Sequence, residues 1–309
     1  MAITLYENLR ALFYAPFYAA KELGAYAAEG IDVAMTISPA PERTPLDLAA
    51  GKVDVVWGGP MRVMREHDLH SDSDMICFVE VIQRDPFFLV GRSPRPGFTI
   101  ADLKGQRFGA VAEVPTPWLC LKDDLMRAGM SERDMDVVDD RTMAENSLAL
   151  REGRLDVVQL FEPYVEQLIQ DGVGHVWYPQ ASRGPCSYTT FNTTRRALAK
   201  RPDDLAAMAR AMLRTQRWLA ASAPEAVAEV VRPYFPDLDP ATAARAITRC
   251  RDAQLYASTP VMSRTGFDRL RDGMLTTGWI GRKVTYDALV DTTLAEAAVA
   301  ADPSPLKGP

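Results

Sequence analysis

The chain has 309 residues, 47% hydrophobic and 25% charged, an ordinary globular composition long enough for two domains with cores of their own. Its formal net charge of -6 comes from 35 basic and 41 acidic side chains interspersed along the whole length, so no basic stripe exists to neutralise a phosphate backbone and nucleic acid is excluded as a partner. No stretch approaches the roughly 20 consecutive apolar residues of a membrane span.

The first third alternates strand and helix, the grammar of a parallel α/β sheet. Residues 2–8 read as a strand, and residues 16–29 as a helix with Phe17, Ala20, Leu23 and Ala27 at i, i+3, i+4 spacing, ended by Gly30. A second strand follows at 31–37, a short helix at 46–52, and a buried strand at 53–57 that leaves through Gly58-Gly59-Pro60 into a helix at 61–66. Residues 75–90 supply strand material on both sides of Arg84-Asp85-Pro86. Pro and Gly accumulate at 91–97, which marks the first crossing between lobes.

From Phe98 a second alternating set begins, with strands at 107–111, 135–138 and 155–160 and helices starting at Pro115-Thr116-Pro117 and Ala144. Residues 173–178 and 187–192 complete the second sheet. Beyond Arg195 the chain reads as Ala-rich amphipathic helices at 203–221, 224–231, 240–256 and 263–277, returning to cover the first lobe, and residues 298–309 read as a disordered tail. The division is residues 1–92 with 193–309 as the first lobe and 93–192 as the second. One internal echo supports two lobes of similar build: AAGKVDVVW at 49–57 and REGRLDVVQL at 151–160 both set a helix end, a Gly cap and a buried strand in that order.

Chemistry-bearing residues are sparse. Cys77, Cys120, Cys186 and Cys250 stand far apart, and of His67, His70 and His175 the first two lie in a solvated run. That spacing calls for no metal site, no disulfide framework and no cofactor. Met1 runs straight into the first strand without the pattern of a secretory leader. The sequence therefore leaves two locations open, the cytoplasm or a compartment reached with a leader that this sequence does not include.

The opening phrase Leu23-Gly24-Ala25-Tyr26 with Glu29-Gly30-Ile31-Asp32-Val33, the run from Ala49 to Gly58, the DLKGQRFG run at 102–109 and the GRLDV phrase followed by Phe161-Glu162-Pro163-Tyr164 come in an order that resembles ABC-transporter solute-binding proteins of the sulfonate, nitrate, taurine and thiamine-pyrimidine-precursor type. The resemblance covers about the first 195 residues. It implies an α/β, two-lobed type II periplasmic binding fold that closes on a small organic solute (a sulfonate, a pyrimidine, or an aromatic or anionic compound) and acts as a monomer with an ABC permease in the periplasm. The same scaffold also resembles that of cytoplasmic enzymes, a desulfinase, a decarboxylase group and a pyrimidine-precursor synthase. A desulfinase-like reading would place a nucleophile at Cys186, three residues after Arg183.

In open α/β sheets ligands bind beyond the carboxyl ends of the strands, which selects the candidate residues. After the first strand come Asn8, Phe13, Tyr14 and Pro16; the two aromatics either wall a cleft or pack helix on sheet. Gly58, Gly59 and Pro60 either let backbone amides approach a ligand or form a plain tight turn. In the second lobe Thr116 reads as an N-cap between Pro115 and Pro117, with free amides facing the cleft. Phe161 and Glu162 follow a buried strand, where a carboxylate accepts from an amino group or is solvated beside Arg183. Arg84 either holds an anionic solute or pairs with Asp85.

Overall fold

The computed structural model describes residues 2–40, 43–306 and 308. In chain order the first lobe opens with β1 (Ile3–Glu7), α1 (Ala15–Glu22), α2 (Ala25–Ala28), β2 (Val33–Ile37), α3 (Thr44–Ala49), β3 (Val55–Gly58), α4 (Pro60–Leu69) and β4 (Met75–Ile82). The expected helix at 16–29 is broken into two, because Gly24 adopts a left-handed conformation (φ 65°) that ends α1. The second set is β5 (Phe88–Gly91), β6 (Arg107–Gly109), α5 (Pro115–Arg127), β7 (Asp136–Val138), α6 (Met143–Arg151), β8 (Val157–Leu160), α7 (Tyr164–Gln170) and β9 (His175–Pro179). The chain then runs through β10 (Thr189–Thr194), α8 (Arg195–Lys200), α9 (Pro202–Ala221), α10 (Pro224–Val231), α11 (Pro240–Asp252), α12 (Arg264–Thr276), α13 (Tyr286–Leu289) and α14 (Thr293–Ala301).

These strands form two five-stranded sheets, ordered β2-β1-β3-β10-β4 and β7-β6-β8-β5-β9. In each sheet the fourth strand alone is antiparallel to its neighbours, and in each it comes from the stretch of chain nearest the other sheet. The sequence echo is part of this symmetry. Gly51 and Gly153 both cap a helix at positive φ (68° and 74°), and the Asp that follows each accepts the backbone N–H of the neighbouring first strand, Asp54 from Thr4 at 2.8 Å and Asp156 from Arg107 at 3.0 Å.

The sheet memberships correct two expectations. β5 pairs with β8 and β9, so the first crossing runs through residues 83–87 rather than 91–97. β10 pairs with β3 and β4, so residues 187–192 complete the first sheet and not the second. Gly91 ends a strand instead of opening a linker: a Cβ there would run into the Trp177 indole of β9. Composition could not separate β4 from β5, since both are apolar runs buried along their whole length.

The C-terminal helices do not all serve one lobe. α9 and α10 pack on α1, and α14 packs on α9 and β4, whereas α11 also meets α7 and α12 also meets α5 of the second lobe. The expected tail is docked: α14 runs to Ala301, Leu306 is buried, and Arg214 donates to the Ser304 carbonyl at 2.8 Å. Of that stretch, Lys307 and Pro309 lie outside the described residues.

Candidate functional site

Where the strand ends of the two sheets face each other the structure encloses a cavity of about 110 Å³. The first lobe contributes Asn8 and Tyr14 after β1 and Gly58-Gly59 at the end of β3; the second contributes Pro115 and Thr116 at the start of α5. The Thr44 hydroxyl donates to Asn8 Oδ1 at 2.9 Å, which turns the Asn8 amide nitrogen over Gly58. A Cβ on Gly58 would stand 2.8 Å from that nitrogen, so glycine is what lets the amide lie there. Asn8 Nδ2 has no hydrogen-bond partner among the described residues, and neither has the hydroxyl of Tyr188, a buried residue on the same wall.

Two helix N-termini meet at this cavity, α4 from the first lobe and α5 from the second. Pro60 opens α4 and Pro115 opens α5; no side chain among the described residues caps either one. Their first-turn N–H groups and dipoles therefore direct partial positive charge toward the enclosed space. Arg62, in the first turn of α4, adds a full charge to the same lining. Burial pushes the Tyr14 hydroxyl up to about 12 and drives that of Tyr188 well above its usual range, aided by nearby Asp85, so both stay protonated and able to donate. The lining thus combines two helix N-termini and Arg62 with one carboxylate, Glu113.

The lobes touch across the cavity. Thr116 Oγ1 donates to Met61 Sδ at 2.8 Å, and a Cβ on Gly59 would lie 3.9 Å from the same Thr oxygen. Thr116 is thus not the cap of α5: the helix begins two residues earlier, at Pro115, Val114 occupies the cap position, and the Thr hydroxyl bridges the lobes. Below the cavity Phe13, Phe87 and Phe161 interlock edge to face, with ring centres 5.3 and 5.2 Å apart, joining the two sheets through one aromatic cluster. Phe13 and Tyr14 line the cavity and also belong to the core, so the two alternatives do not exclude each other.

Other candidates lie elsewhere. Glu162 has no exposed surface; Arg249 of α11 donates to its Oε1 at 2.6 Å and the Glu166 amide to its Oε2 at 3.0 Å, so its cation is not Arg183. Arg84 donates to the Ala181 carbonyl at 3.3 Å, linking one crossover to the other. Pro16, Pro60 and Pro117 serve the first turns of α1, α4 and α5 without lining the cavity. Cys186 is buried in the return crossover against Cys120 and off the cavity, and Arg183 is clamped between Asp85 and Asp124. Among the described residues no group of three or more His, Cys, Asp or Glu is placed to hold a metal.

Sequence reasoning missed Phe87, Tyr188 and Arg62. The strand-end rule looks just after each strand, but β5 and β10 run antiparallel, so the residue just before each one sits at the cleft edge. Phe87 precedes β5 and Tyr188 precedes β10.

Residues 13–226 match the family model described as NMT1/THI5 like, more than two thirds of the chain. The chain belongs to the NMT1/THI5-like family. Among curated relatives of this family member, the putative binding protein YtlA of Bacillus subtilis is 25% identical over 292 residues, 94% of this chain and 87% of that protein. Among solved structures, the alkanesulfonate-binding protein SsuA from Xanthomonas axonopodis pv. citri, bound to MOPS, superposes with a TM-score of 0.73 at 16% identity over 94% of this chain and 98% of that one. The desulfurization enzyme DSZB superposes with a TM-score of 0.72 at 13% identity over 98% and 100%. The NMT1/THI5-like chain thus has the two-lobed periplasmic-binding-protein fold, which a binding protein and an enzyme share, and the site must decide between them.

Proposed function

We propose that this family member is a solute-binding protein that captures a small organic anion by closing its two lobes and delivers it to an ABC-type permease, working as a monomer outside the cytoplasmic membrane. One observation carries the reading: one cavity between the lobes is lined by two uncapped helix N-termini, one from each lobe, and by two residues, Asn8 and Tyr188, whose buried donors have no partner among the described residues. Closure brings the two N-termini together, so an oxyanion between them holds the lobes shut, which couples binding to shape as hinge proteins require. The descriptions of YtlA and SsuA as binding proteins support it. A cysteine-based enzyme finds less support, because none of the four cysteines lines the cavity among the described residues.

The test is calorimetric titration with sulfonates, carboxylates, nitrate and aminopyrimidines. An anion is expected to bind and to raise the unfolding midpoint by mass action. Tyr188→Phe, which removes one donor to a charged oxygen, is expected to weaken it about tenfold. Binding confined to neutral or cationic compounds, or an unchanged affinity in Tyr188→Phe, would remove the anion from the reading.

A further inference from the structure

Two helix pairs span the lobes, α5 with α12 and α7 with α11, and they are built of different chemistry. In the first pair Leu119 and Cys120 of α5 share an apolar cluster with Phe267, Leu270 and Met274 of α12. The same α12 lies against the return crossover. The Ser187 amide donates to the Gly266 carbonyl at 3.1 Å, and a Cβ on Gly266 would stand 2.7 Å from the Ser187 hydroxyl oxygen, so glycine is what lets the helix come so close. Parting this pair would expose apolar surface to water.

The second pair meets through polar side chains. Thr242, Arg245 and Arg249 stand at i, i+3, i+7 along one face of α11, and Glu162, Glu166 and Gln170 at i, i+4, i+8 along the run into α7. Gln170 Nε2 donates to Thr242 at 3.1 Å, Arg245 to Glu166 at 2.6 Å, and Arg249 to Glu166 at 2.8 Å and to Glu162 at 2.6 Å. Water can replace each of these bonds, and Arg245 is already half exposed, so this seam separates at lower cost than an apolar one. The rest of α11 is held by the first lobe. It packs on α10 and on residues 12–14, with Ala243, Ala246 and Ile247 buried. Just past its end the Gln83 amide donates to the Leu255 carbonyl at 2.8 Å, where the first crossover begins, and the Ala257 amide donates to Val81 of β4 at 3.0 Å.

We infer that the cleft opens on one side: the polar seam between α7 and α11 is a latch that parts, and the apolar seam between α5 and α12 is the pivot that stays packed. This rests on the lobe closure proposed above and adds the direction of the motion. Thr242 lies about 10 Å along the helix from Arg249, away from the end anchored at the crossover, so a small rotation there displaces the outermost rung most. Both arginines grip Glu166, so the latch outlasts the loss of Glu162 alone.

Spin-label distances in the whole chain test it, with no solute added. Asp171→Cys with Ala241→Cys reports across the latch, and Ala128→Cys with Thr276→Cys across the pivot; all four positions are exposed, and the four native cysteines are buried and take no label. Arg245→Glu sets a carboxylate against Glu166 and is expected to lengthen the latch distance by several ångströms while the pivot distance stays as in wild type. Arg245→Gln removes the charge without adding repulsion, which covers a folding failure of the first variant, and is expected to shift the same distance in the same direction. If the pivot distance lengthens as much as the latch distance, or if neither variant moves the latch, the one-sided opening is wrong while anion capture stands. Calorimetry with the anions named above tests capture separately.

Discussion

A carboxylate with no exposed surface needs a cation and donors around it, and Glu162 has both in Arg249 and the Glu166 amide. Burial raises its pKa and Arg249 draws it back, which is the balance of a structural ion pair. Glu162→Ala is therefore expected to cost about 2 kcal/mol, below the figure for a fully buried pair because Arg249 is partly hydrated and keeps Glu166. Denaturant titration measures that loss, and affinity for any captured anion should stay within about threefold. A tenfold loss of affinity with stability intact would return Glu162 to the binding site. Asn8 shows the opposite case: Thr44 satisfies its oxygen, and its nitrogen is left buried beside Gly58 with no hydrogen-bond partner among the described residues.

Elements are joined by a second buried carboxylate. Glu80, in the middle of β4, accepts from the Ser263 amide at 3.1 Å and so ties the cap of α12 to the first sheet. Burial lifts its pKa to about 7, and Ser187 and the Ser263 amide pull the other way. A carboxyl raised above its unfolded value near 4.5 stabilises the fold fully below that value and loses the contribution as pH rises through about 7. Wild type is thus expected to lose up to about 3 kcal/mol of Glu80 contribution between pH 5 and pH 8, and Glu80→Gln to flatten that slope. Midpoints measured at both pH values decide it; parallel slopes in wild type and variant would place the titration elsewhere.

At the scale of the molecule, two crossovers join the lobes, and Arg183 fastens them. It sits in the return crossover, pairs with Asp85 of the first crossover and with Asp124 of α5, and Gln180 donates to the same Asp85 at 3.0 Å. Arg183 and Asp85 have almost no exposed surface. Arg183→Ala would leave two carboxylates buried without their cation, and a loss of about 3 kcal/mol or more is expected in denaturant titration. A variant within 1 kcal/mol of wild type would show that solvent reaches the clamp and that it does not fix the hinge.

Local grammar was readable from the sequence because it is written in neighbouring residues. Periodicity, Gly at helix ends, Pro at helix starts and the repeated Gly-basic-aliphatic-Asp phrase placed most strands and helices, the two-lobed class, and half of the candidate site: Asn8, Phe13, Tyr14, Gly58, Gly59, Pro115 and Thr116 all line the inner cavity. Tertiary structure alone decided the direction of β5 and β10, and with it the placing of Phe87 and Tyr188 at the cleft, the partner of Glu162, and the meeting of α11 with α7. Each of these depends on contacts between segments far apart in the chain, and a strand's own pattern of apolar residues is the same whichever way its neighbour runs.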